Sequence, residues 1–257
     1  ARLDFKAYEA GLGQLAFIAE SRLLQAALWQ ALHAASHVRV FCPAACAALS
    51  LDADAARLTL EDGTQIQSQL IVAADGAHSW VRQQAGIHAR DKDYRQLGVV
   101  ANFATTLPHH GTAFQWFQPD GVLAYLPLPG NRISIVWSLQ EDLARGLLQL
   151  APTEFSLRVA EASGMRLGTL ELITPPAAFP LHLIEPDALV QACLALIGDA
   201  AHQVHPMAGQ GVNLGFADAK ALAAVLTERG PRDCGDLYLL RRFARARREE
   251  ILAMQIL

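Results

Sequence analysis

LALIGDAAHQVHPMAGQGVNLGFAD, the segment from Leu194 to Asp218, decides the fold of this chain. Its first residues, Leu194–Ile197, predict a short buried strand that delivers Gly198-Asp199 to its carboxyl end, where open α/β sheets bind ligands. Gly209-Gln210-Gly211 then allows the backbone to approach a planar or anionic group closely. The amide groups at the start of the helix that follows face the same place. The ordered set favours a ligand site over a glycine-rich turn.

A second segment, LIVAADGAHSWVR from Leu70 to Arg82, has a similar design. An apolar strand ends at Asp75-Gly76, and Ser79 has a side chain that can cap a short helix. An Asp-Gly pair at a strand end is by itself more often a turn than a binding site. The pair becomes informative only together with the first segment.

Between these two segments the sequence changes in character, from about Tyr94 onward. Strand candidates at 96–103, 113–118, 122–126 and 132–139 are separated by stretches rich in turn residues, which predicts an antiparallel sheet. An α/β layer, then this sheet, then α/β again indicates an insertion rather than two consecutive domains. We therefore predict an α/β fold in which residues 93–184 form a sheet domain inserted between residues 1–92 and 185–257.

The composition of the 257 residues argues against some classes of function. The net charge of −4 gives no broad electrostatic reason to bind nucleic acid or acidic lipid. Arginines do cluster late in the chain, but helical spacing spreads them around a surface and two glutamates follow them. This pattern favours a solvated helix face over a phosphate-binding patch. The arginines are Arg241, Arg242, Arg245, Arg247 and Arg248.

The cysteines and histidines indicate neither a disulfide framework nor a metal site. The four cysteines lack framework spacing, which is typical of the reduced cytoplasm. The pairs His202/His205 and Cys42/Cys46 have no partners at zinc-site spacing. No apolar run reaches the roughly 18 residues that a membrane span needs, and no signal peptide opens the chain.

Taken together, the two motifs resemble those of the FAD-dependent aromatic hydroxylases of the para-hydroxybenzoate hydroxylase type. That family has an Asp-Gly motif after one strand and a Gly-Asp motif after another, as at Asp75-Gly76 and Gly198-Asp199. The chain is most similar to the branch that serves ubiquinone biosynthesis. The segments that carry this resemblance are ESRLLQAALWQAL (Glu20–Leu32), FQPDGVLAYLPLPGNRISIVWS (Phe117–Ser138) and PMAGQGVNLG (Pro206–Gly215). It implies an FAD-binding, Rossmann-like domain that carries the inserted sheet as a substrate domain.

The resemblance also implies which residues bind the cofactor FAD. Asp199 matches the ligand of the FAD ribityl chain, and Arg22 matches an arginine that contacts the flavin. Asp75, Ser79 and Arg82 match the segment that supports both FAD and the pyridine nucleotide. The remaining matches are Gly198, Pro206, Gly209, Gln210, Gly211 and Asn213, in the Gly-Asp motif and the loop against the isoalloxazine ring. The chemistry resides in the cofactor, so no catalytic side chain is assigned.

One departure from the family is large. The family begins with a strand–GxGxxG–helix unit that holds the FAD pyrophosphate, and this unit is absent here. Gly11 through Ala16 mimics GxGxxA, but no buried strand precedes it. We therefore interpret the chain as truncated at its N-terminus, and we expect this fragment alone to bind FAD weakly and to be inactive.

The resemblance implies an activity and its partners. FAD reduced by NAD(P)H activates O2, and the product is a hydroxylated ring of a polyprenylated phenol in ubiquinone biosynthesis. Trp116, Phe117, Tyr125 and Leu126 are candidates for an apolar wall against that ring, or are plain sheet core. The enzyme is then cytoplasmic, with a peripheral association with the inner membrane or a biosynthetic complex. Two alternatives stay open: a hydroxylase of another phenolic metabolite on the same fold, and a non-catalytic accessory protein that binds quinone lipids.

Overall fold

The computed structural model describes residues 3–203 and 211–256, and the chain divides into two compact units. Unit 1 consists of Ala1–Cys42 and Val99–Ala178, and unit 2 consists of Pro43–Gly98 and Phe179–Leu257. Unit 1 therefore contains most of the predicted sheet domain, together with residues that the sequence grouped with the FAD-binding part. Both units are discontinuous in sequence, and the predicted insertion of residues 93–184 stays a prediction.

The described ranges contain α-helices and β-strands in both units, numbered here in chain order. The helices are α1 (Ser21–Ala34), α2 (Trp80–Gln84), α3 (Glu141–Leu148), α4 (Pro152–Ala162), α5 (Gly211–Thr227) and α6 (Leu237–Ile256). The strands are β1 (Cys46–Leu51), β2 (Ala56–Leu60), β3 (Gln65–Ser68), β4 (Ile71–Ala73), β5 (Ala89–Thr105), β6 (Phe114–Gln118), β7 (Gly121–Leu128), β8 (Arg132–Gln140), β9 (Leu170–Leu172), β10 (Ala177–Pro186), β11 (Val190–Gln191) and β12 (Leu194–Leu196). None of the helices in these ranges is both long enough and apolar enough to cross a membrane.

The sheet of unit 1 contains strands β5, β8, β7 and β6, which are neighbours in that order, and β9, which pairs antiparallel with β5. Both hairpins of the β6–β7–β8 segment are antiparallel, with Trp116 opposite Leu123 and Tyr125 opposite Ile135. At the start of β7, a Cβ on Gly121 would lie 1.8 Å from the carbonyl oxygen of Ser138, so this position requires glycine. The predicted antiparallel sheet is confirmed.

Helix α4 covers one face of this sheet. The hydroxyl of Tyr125 donates a hydrogen bond to the carbonyl oxygen of Val159 at 2.8 Å, and the rings of Phe103 and Phe155 stack at 5.8 Å. Tyr125 is 1% exposed, and this burial raises its pKa to about 12. Because side chains alternate along a strand, the same face carries the other buried hydrophobic residues of β7 and β8. These are Leu123, Ile133, Ile135, Trp137 and Leu139.

Unit 2 contains a three-stranded sheet in which β12 lies between β4, its parallel neighbour, and β11, its antiparallel neighbour. One side of β12 packs on helices α5 and α6, with Ala195 against a cluster of Leu222, Val225, Leu239, Leu240 and Phe243. The other side, with Leu194 and Leu196, packs on Ala73, Val81 and Ile87. A strand that is buried on both faces has apolar residues at consecutive positions in its sequence, and β12 fits this pattern. Strands β1, β2 and β3 form a separate antiparallel sheet.

Replacing Tyr125 with Phe tests the hydroxyl that ties the sheet to α4. We expect Tyr125→Phe to lower the free energy of unfolding by about 0.5–1.5 kcal/mol, the usual net value of one hydrogen bond. The loss stays small because the Val159 carbonyl still accepts from the Ser163 amide at 3.3 Å. Urea denaturation measures it. The control Tyr238→Phe removes a hydroxyl from a residue that is 64% exposed, and an equal effect in both variants would contradict the assignment.

Candidate functional site

The two sequence motifs lie side by side because β4 and β12 are parallel neighbours. Leu194 pairs with Ile71 and Leu196 with Ala73, and the amide of Ile197 donates to the Ala73 carbonyl at 2.9 Å. Both strands therefore end at the same edge of the sheet. The side chains of Asp75 and Asp199, which follow the two strands, are both exposed. Open α/β sheets bind their ligands at this edge.

The Asp-Gly loop after β4 is organised by its own carboxylate. The Ser79 hydroxyl donates to one oxygen of Asp75 at 2.5 Å, and the Val81 amide donates to the other at 3.0 Å. The Ser79 oxygen accepts in turn from the Arg82 amide at 3.0 Å, so Ser79 caps α2 as the sequence predicts. These bonds fix the loop while leaving Asp75 at the surface.

Arg82 connects the loop after β4 to the turn after β12. Its guanidinium donates to the carbonyl of Ala200 at 2.8 Å and to the carbonyl of Ala77 at 2.7 Å. Arg82 is 6% exposed and Ser79 is fully buried. The support of FAD and the pyridine nucleotide by Ser79 and Arg82 stays a prediction, and the structure shows the internal contacts through which they would give it. In this structure both side chains are used internally, and they shape the site by holding its two loops together.

The Gly198-Asp199 motif forms a tight 3-10 turn, Gly198–Ala200, directly after β12. Gly198 has a φ of +59°, which favours glycine, and its carbonyl accepts from the amides of Ala201 and His202. Helix α5 comes close to this turn, since a Cβ on Gly215 would lie 3.4 Å from the Cα of Gly198. The turn is thus packed tightly enough to define where Asp199 projects.

The buried carboxylate of Asp218 on α5 accepts hydrogen bonds from this turn and from the residues next to it. One of its oxygens accepts from the Gly198 amide at 2.9 Å and from His202 Nε2 at 2.6 Å. The other oxygen accepts from Arg247 Nε of α6 at 2.7 Å. The side chains of Asp218 and Arg247 are 1% and 3% exposed. Arg247 also donates to Glu250, whose side chain reaches the surface.

The two buried charges of this network, on Asp218 and Arg247, are opposite and lie in direct contact. Burial alone would raise the pKa of Asp218, but hydrogen bonds from His202 and Arg247 outweigh it and hold the pKa below its ordinary value. For Arg247, burial works in the opposite sense, and the bonds to Asp218 and Glu250 raise its pKa. Asp218 is therefore ionised at neutral pH. Because an ionised carboxylate only accepts, His202 carries its proton on Nε2.

Three buried residues that contact the Gly-Asp turn or each other, Asp218, Arg247 and His202, were not predicted as part of the site. Arg247 was assigned to a solvated helix face, which is wrong because its side chain is buried against Asp218. A signal was present, since Asp218 is in register with the buried Leu214 and Leu222 of α5. Arg247 is likewise in register with the buried Phe243 and Ile251 of α6. Two opposite charges on the apolar stripes of consecutive helices indicate a buried pair. His202, the third residue, was considered only as a metal ligand.

The residues predicted to face the flavin ring are described in part. Gly211 and Asn213 lie in the first turn of α5, while Pro206, Gly209 and Gln210 lie outside the described residues. A Cβ added to Gly211 or to Gly76 would meet no atom of residues 3–203 or 211–256 within 4 Å, so neither position is crowded by the described part of the chain. The exposed carboxylate of Asp199 can accept hydrogen bonds from ribityl hydroxyls, and the amide groups at the start of α5 can donate to an anionic group, so these residues fit a flavin.

The remaining predicted residues belong to unit 1. The Arg22 side chain is 78% exposed, and its Nε donates to Glu20 at 2.8 Å. The four candidates for a substrate wall cannot form one wall, because they lie on opposite faces of the sheet. Trp116 contacts Tyr125 ring to edge at 4.8 Å on the face covered by α4. Strand alternation places Phe117 and Leu126 on the other face.

A cleft of about 730 Å³ lies elsewhere in unit 2, between α6 and the chain around β11. Its lining includes Glu185, Leu189, Arg241, Arg248 and Ile251, and none of the predicted site residues. Strand-end geometry, rather than cavity size, therefore locates the candidate site. Among residues 3–203 and 211–256, no group of three or more His, Cys, Asp or Glu is arranged to hold a metal ion.

Comparison with known proteins finds a match to a sequence family described as FAD binding domain, over residues 20–251. The ubiquinone hydroxylase UbiL of Rhodospirillum rubrum is 37% identical over 94% of this chain and 57% of its own length. The 3-demethoxyubiquinol 3-hydroxylase of Escherichia coli is 37% identical over 99% of this chain and 66% of its own length. The chain thus spans about three fifths of the length of these relatives.

Solved structures share the fold. The crystal structure of pqsL, a probable FAD-dependent monooxygenase from Pseudomonas aeruginosa, superposes with a TM-score of 0.76 at 24% identity. The match covers 90% of this chain and 66% of that one. The predicted α/β fold with an antiparallel sheet is confirmed by this likeness.

The stability contributed by Asp218 should depend on pH. Its folded-state pKa lies below the ordinary value, so the ionised carboxylate stabilises the fold fully above the ordinary aspartate pKa of about 3.9. This contribution is lost as pH falls through the lower pKa of the folded state. Near neutral pH we expect Asp218→Asn to lower the free energy of unfolding by about 3–5 kcal/mol, because Arg247 stays buried without its partner. The difference from the unmodified protein should shrink as the pH is lowered below about 4.

Urea denaturation at a series of pH values measures this difference. The control is Asp54→Asn, which changes an exposed aspartate in the same unit and should leave the unfolding free energy nearly unchanged. A destabilisation by Asp218→Asn that stays constant down to about pH 2.5 would show that Asp218 is not the ionised partner of the network.

Proposed function

The chain belongs to the FAD binding domain family, and from that premise we propose that it serves as a flavin-dependent monooxygenase of ubiquinone biosynthesis. Its substrate would be a polyprenylated phenol, hydroxylated on its aromatic ring with NAD(P)H and O2 as the other reactants. The relatives named as ubiquinone hydroxylase and as 3-demethoxyubiquinol 3-hydroxylase support this choice of substrate class. Peripheral association with a membrane or with a biosynthetic complex is part of the same proposal, since a prenylated phenol is nearly insoluble in water.

The observation that carries the proposal is the parallel pairing of β4 with β12. It brings the Asp-Gly and Gly-Asp motifs to one sheet edge, where Asp199 is exposed and α5 begins with glycine. An exposed carboxylate suits the hydroxyls of a ribityl chain, which it would accept as hydrogen-bond donors. The amide groups in the first turn of α5 suit a ring that gains negative charge on reduction.

When bound, FAD supplies the redox chemistry that activates O2, and the protein supplies binding and orientation. Asp199 would hold the ribityl chain, and the loop of Asp75 would lie next to it. Ser79 and Arg82 would keep both loops in place from within the protein. Arg22 would contact the flavin, in keeping with the family to which the chain belongs. Pro206, Gly209, Gln210, Gly211 and Asn213 would line the ring.

The substrate wall is proposed for the face of the unit 1 sheet that α4 does not cover. Phe117 on β6 is 73% exposed, and Leu126 on β7 and Val136 on β8 are half-buried on the same face. These side chains offer an apolar surface to a phenol ring or its prenyl tail. Trp116 and Tyr125 would support the wall from the other side of the sheet.

Removal of the Asp199 carboxylate tests the cofactor site. We expect Asp199→Ala to weaken FAD binding by about 1.5–3 kcal/mol, the loss of a hydrogen bond to a charged acceptor. Titration of FAD fluorescence at low free FAD measures the change. The control Asp54→Ala removes another exposed aspartate of unit 2 and should leave FAD affinity unaltered. Equal affinity in the Asp199→Ala variant and the unmodified protein would refute the role of Asp199.

A comparison of two substrates tests the proposed reaction. NAD(P)H oxidation coupled to product formation should be more efficient with a short-chain prenylphenol than with 4-hydroxybenzoate, because each buried CH2 contributes about 0.8 kcal/mol. Leu126→Ala should raise KM for the prenylphenol about tenfold while FAD affinity stays constant. Leu143→Ala, at a leucine of α3 that is 47% exposed, is the matched control.

The outcomes separate the competing functions. Better coupling with 4-hydroxybenzoate would support a hydroxylase of another phenolic metabolite on the same fold. Binding of the prenylphenol without any FAD binding would support an accessory protein that carries quinone lipids.

A further inference from the structure

We propose that Asp218 and Arg247 are positioning residues that set flavin affinity through Asp199, without touching the flavin. The inference rests on the proposed function, because it takes Asp199 as a ligand of the cofactor. It goes beyond that function by assigning a role to two helices whose charged residues lie beneath the site.

Asp199 projects from a turn that is fixed on both sides. On one side, the Gly198 amide donates to Asp218 of α5 at 2.9 Å. On the other side, the Ala200 carbonyl accepts from Arg82 of α2 at 2.8 Å. Asp199 is exposed between these two anchors, so its direction depends on both of them. A ligand group held in its productive geometry before binding loses less conformational entropy on binding.

The anchor at Gly198 depends on charge. An ionised acceptor makes shorter and stronger hydrogen bonds than a neutral one. Asp218 is ionised because the hydrogen bonds from His202 and Arg247 hold its pKa below the ordinary value against the effect of burial. The buried groups facing Asp218 from each packed element are the Gly198 amide, His202 from the turn and Arg247 from α6. Glu250, also on α6, balances the outer side of Arg247. A substitution of Arg247 therefore alters the position or charge of the Asp218 carboxylate, and with it the hydrogen bond from the Gly198 amide.

The same oxygen of Asp218 also fixes the far end of the turn. It accepts from His202 Nε2 at 2.6 Å, while the His202 amide donates back to the Gly198 carbonyl at 3.0 Å. A single carboxylate oxygen thus closes a ring of contacts from residue 198 to residue 202. Loss of its charge would loosen the whole turn that carries Asp199, not one hydrogen bond alone.

A double-mutant cycle tests whether Asp218 acts through Asp199. FAD dissociation constants are measured by fluorescence titration for the unmodified protein, Asp199→Ala, Asp218→Asn and the double variant. We expect Asp218→Asn to weaken FAD binding about tenfold when Asp199 is present and less than about twofold when it is absent. Asp218→Asn should lower Tm by the same amount in the protein with Asp199 and in the Asp199→Ala variant, because a purely structural effect does not depend on Asp199.

A milder variant covers the case in which Asp218→Asn does not fold. Arg247→Lys keeps the positive charge but loses the Nε donor and the planar guanidinium. It should weaken FAD binding about threefold with Asp199 present and leave it unchanged in the Asp199→Ala background. The control Glu228→Gln changes an exposed partner of Arg242, one residue past the end of α5, and should have no effect on FAD affinity with or without Asp199.

Hydrogen exchange gives a readout that needs no flavin. In Asp218→Asn and in Arg247→Lys, a peptide covering residues 195–203 should exchange faster, while one covering residues 152–162 in unit 1 should not change. Losses of FAD affinity that add in the double variant, or unchanged exchange at 195–203, would overturn the inference. If Asp199→Ala alone leaves FAD affinity intact, the assignment of Asp199 fails, and this inference fails with it. The exchange result then still reports whether Asp218 orders the turn.

Discussion

The carboxylate of Asp218 is shared by the turn after β12, by His202 within that turn and by Arg247 of α6. It lies at 1% exposure, where an ion without partners would be very unfavourable. If one partner is removed, the other buried polar groups lose a hydrogen bond and become energetically unfavourable. The network therefore stabilises only the packing in which all its members are present. Helices α5 and α6, strand β12 and the Gly-Asp motif meet at this one group. A hydrophobic pair of the same volume could pack as well, but it would offer no acceptor to the Gly198 amide.

Much of the site could be predicted from the sequence, since strand-end motifs are local. Gly198-Asp199 follows an apolar run, Ser79 caps α2 through the Arg82 amide, and the helix predicted to follow the Gly209-Gln210-Gly211 segment is present as α5. What was missed depends on contacts between distant segments. Whether Arg247 faces water or a carboxylate is decided by the way α6 packs on α5, and a run of arginines followed by glutamates does not show this by composition.

In the sheet of unit 1, too, the sequence alone did not show which residues face the core. The four aromatic and apolar residues proposed as one wall were chosen for their chemistry, without assigning each to a face. In the structure, Trp116 and Tyr125 contribute to the core against α4, while Phe117 and Leu126 face away from it. The alternation of a strand is visible in sequence, but which of its two faces a helix covers is settled only by α4, which comes later in the chain.

The hydrogen bond from Arg82 to Ala200 joins residues that are 118 positions apart in the chain. The intervening segment contains the β6–β7–β8 meander, whose contacts are local in sequence and which can form without waiting for distant segments. The parallel pairing of β4 with β12 has to close a long loop, which is entropically costly until the segment between them is already compact. The edge that carries Asp75 and Asp199 is therefore assembled late in folding. A nascent chain reaches this step only after α5 and α6 have been synthesised, because Asp218, which anchors Gly198, lies on α5 and its partner Arg247 lies on α6.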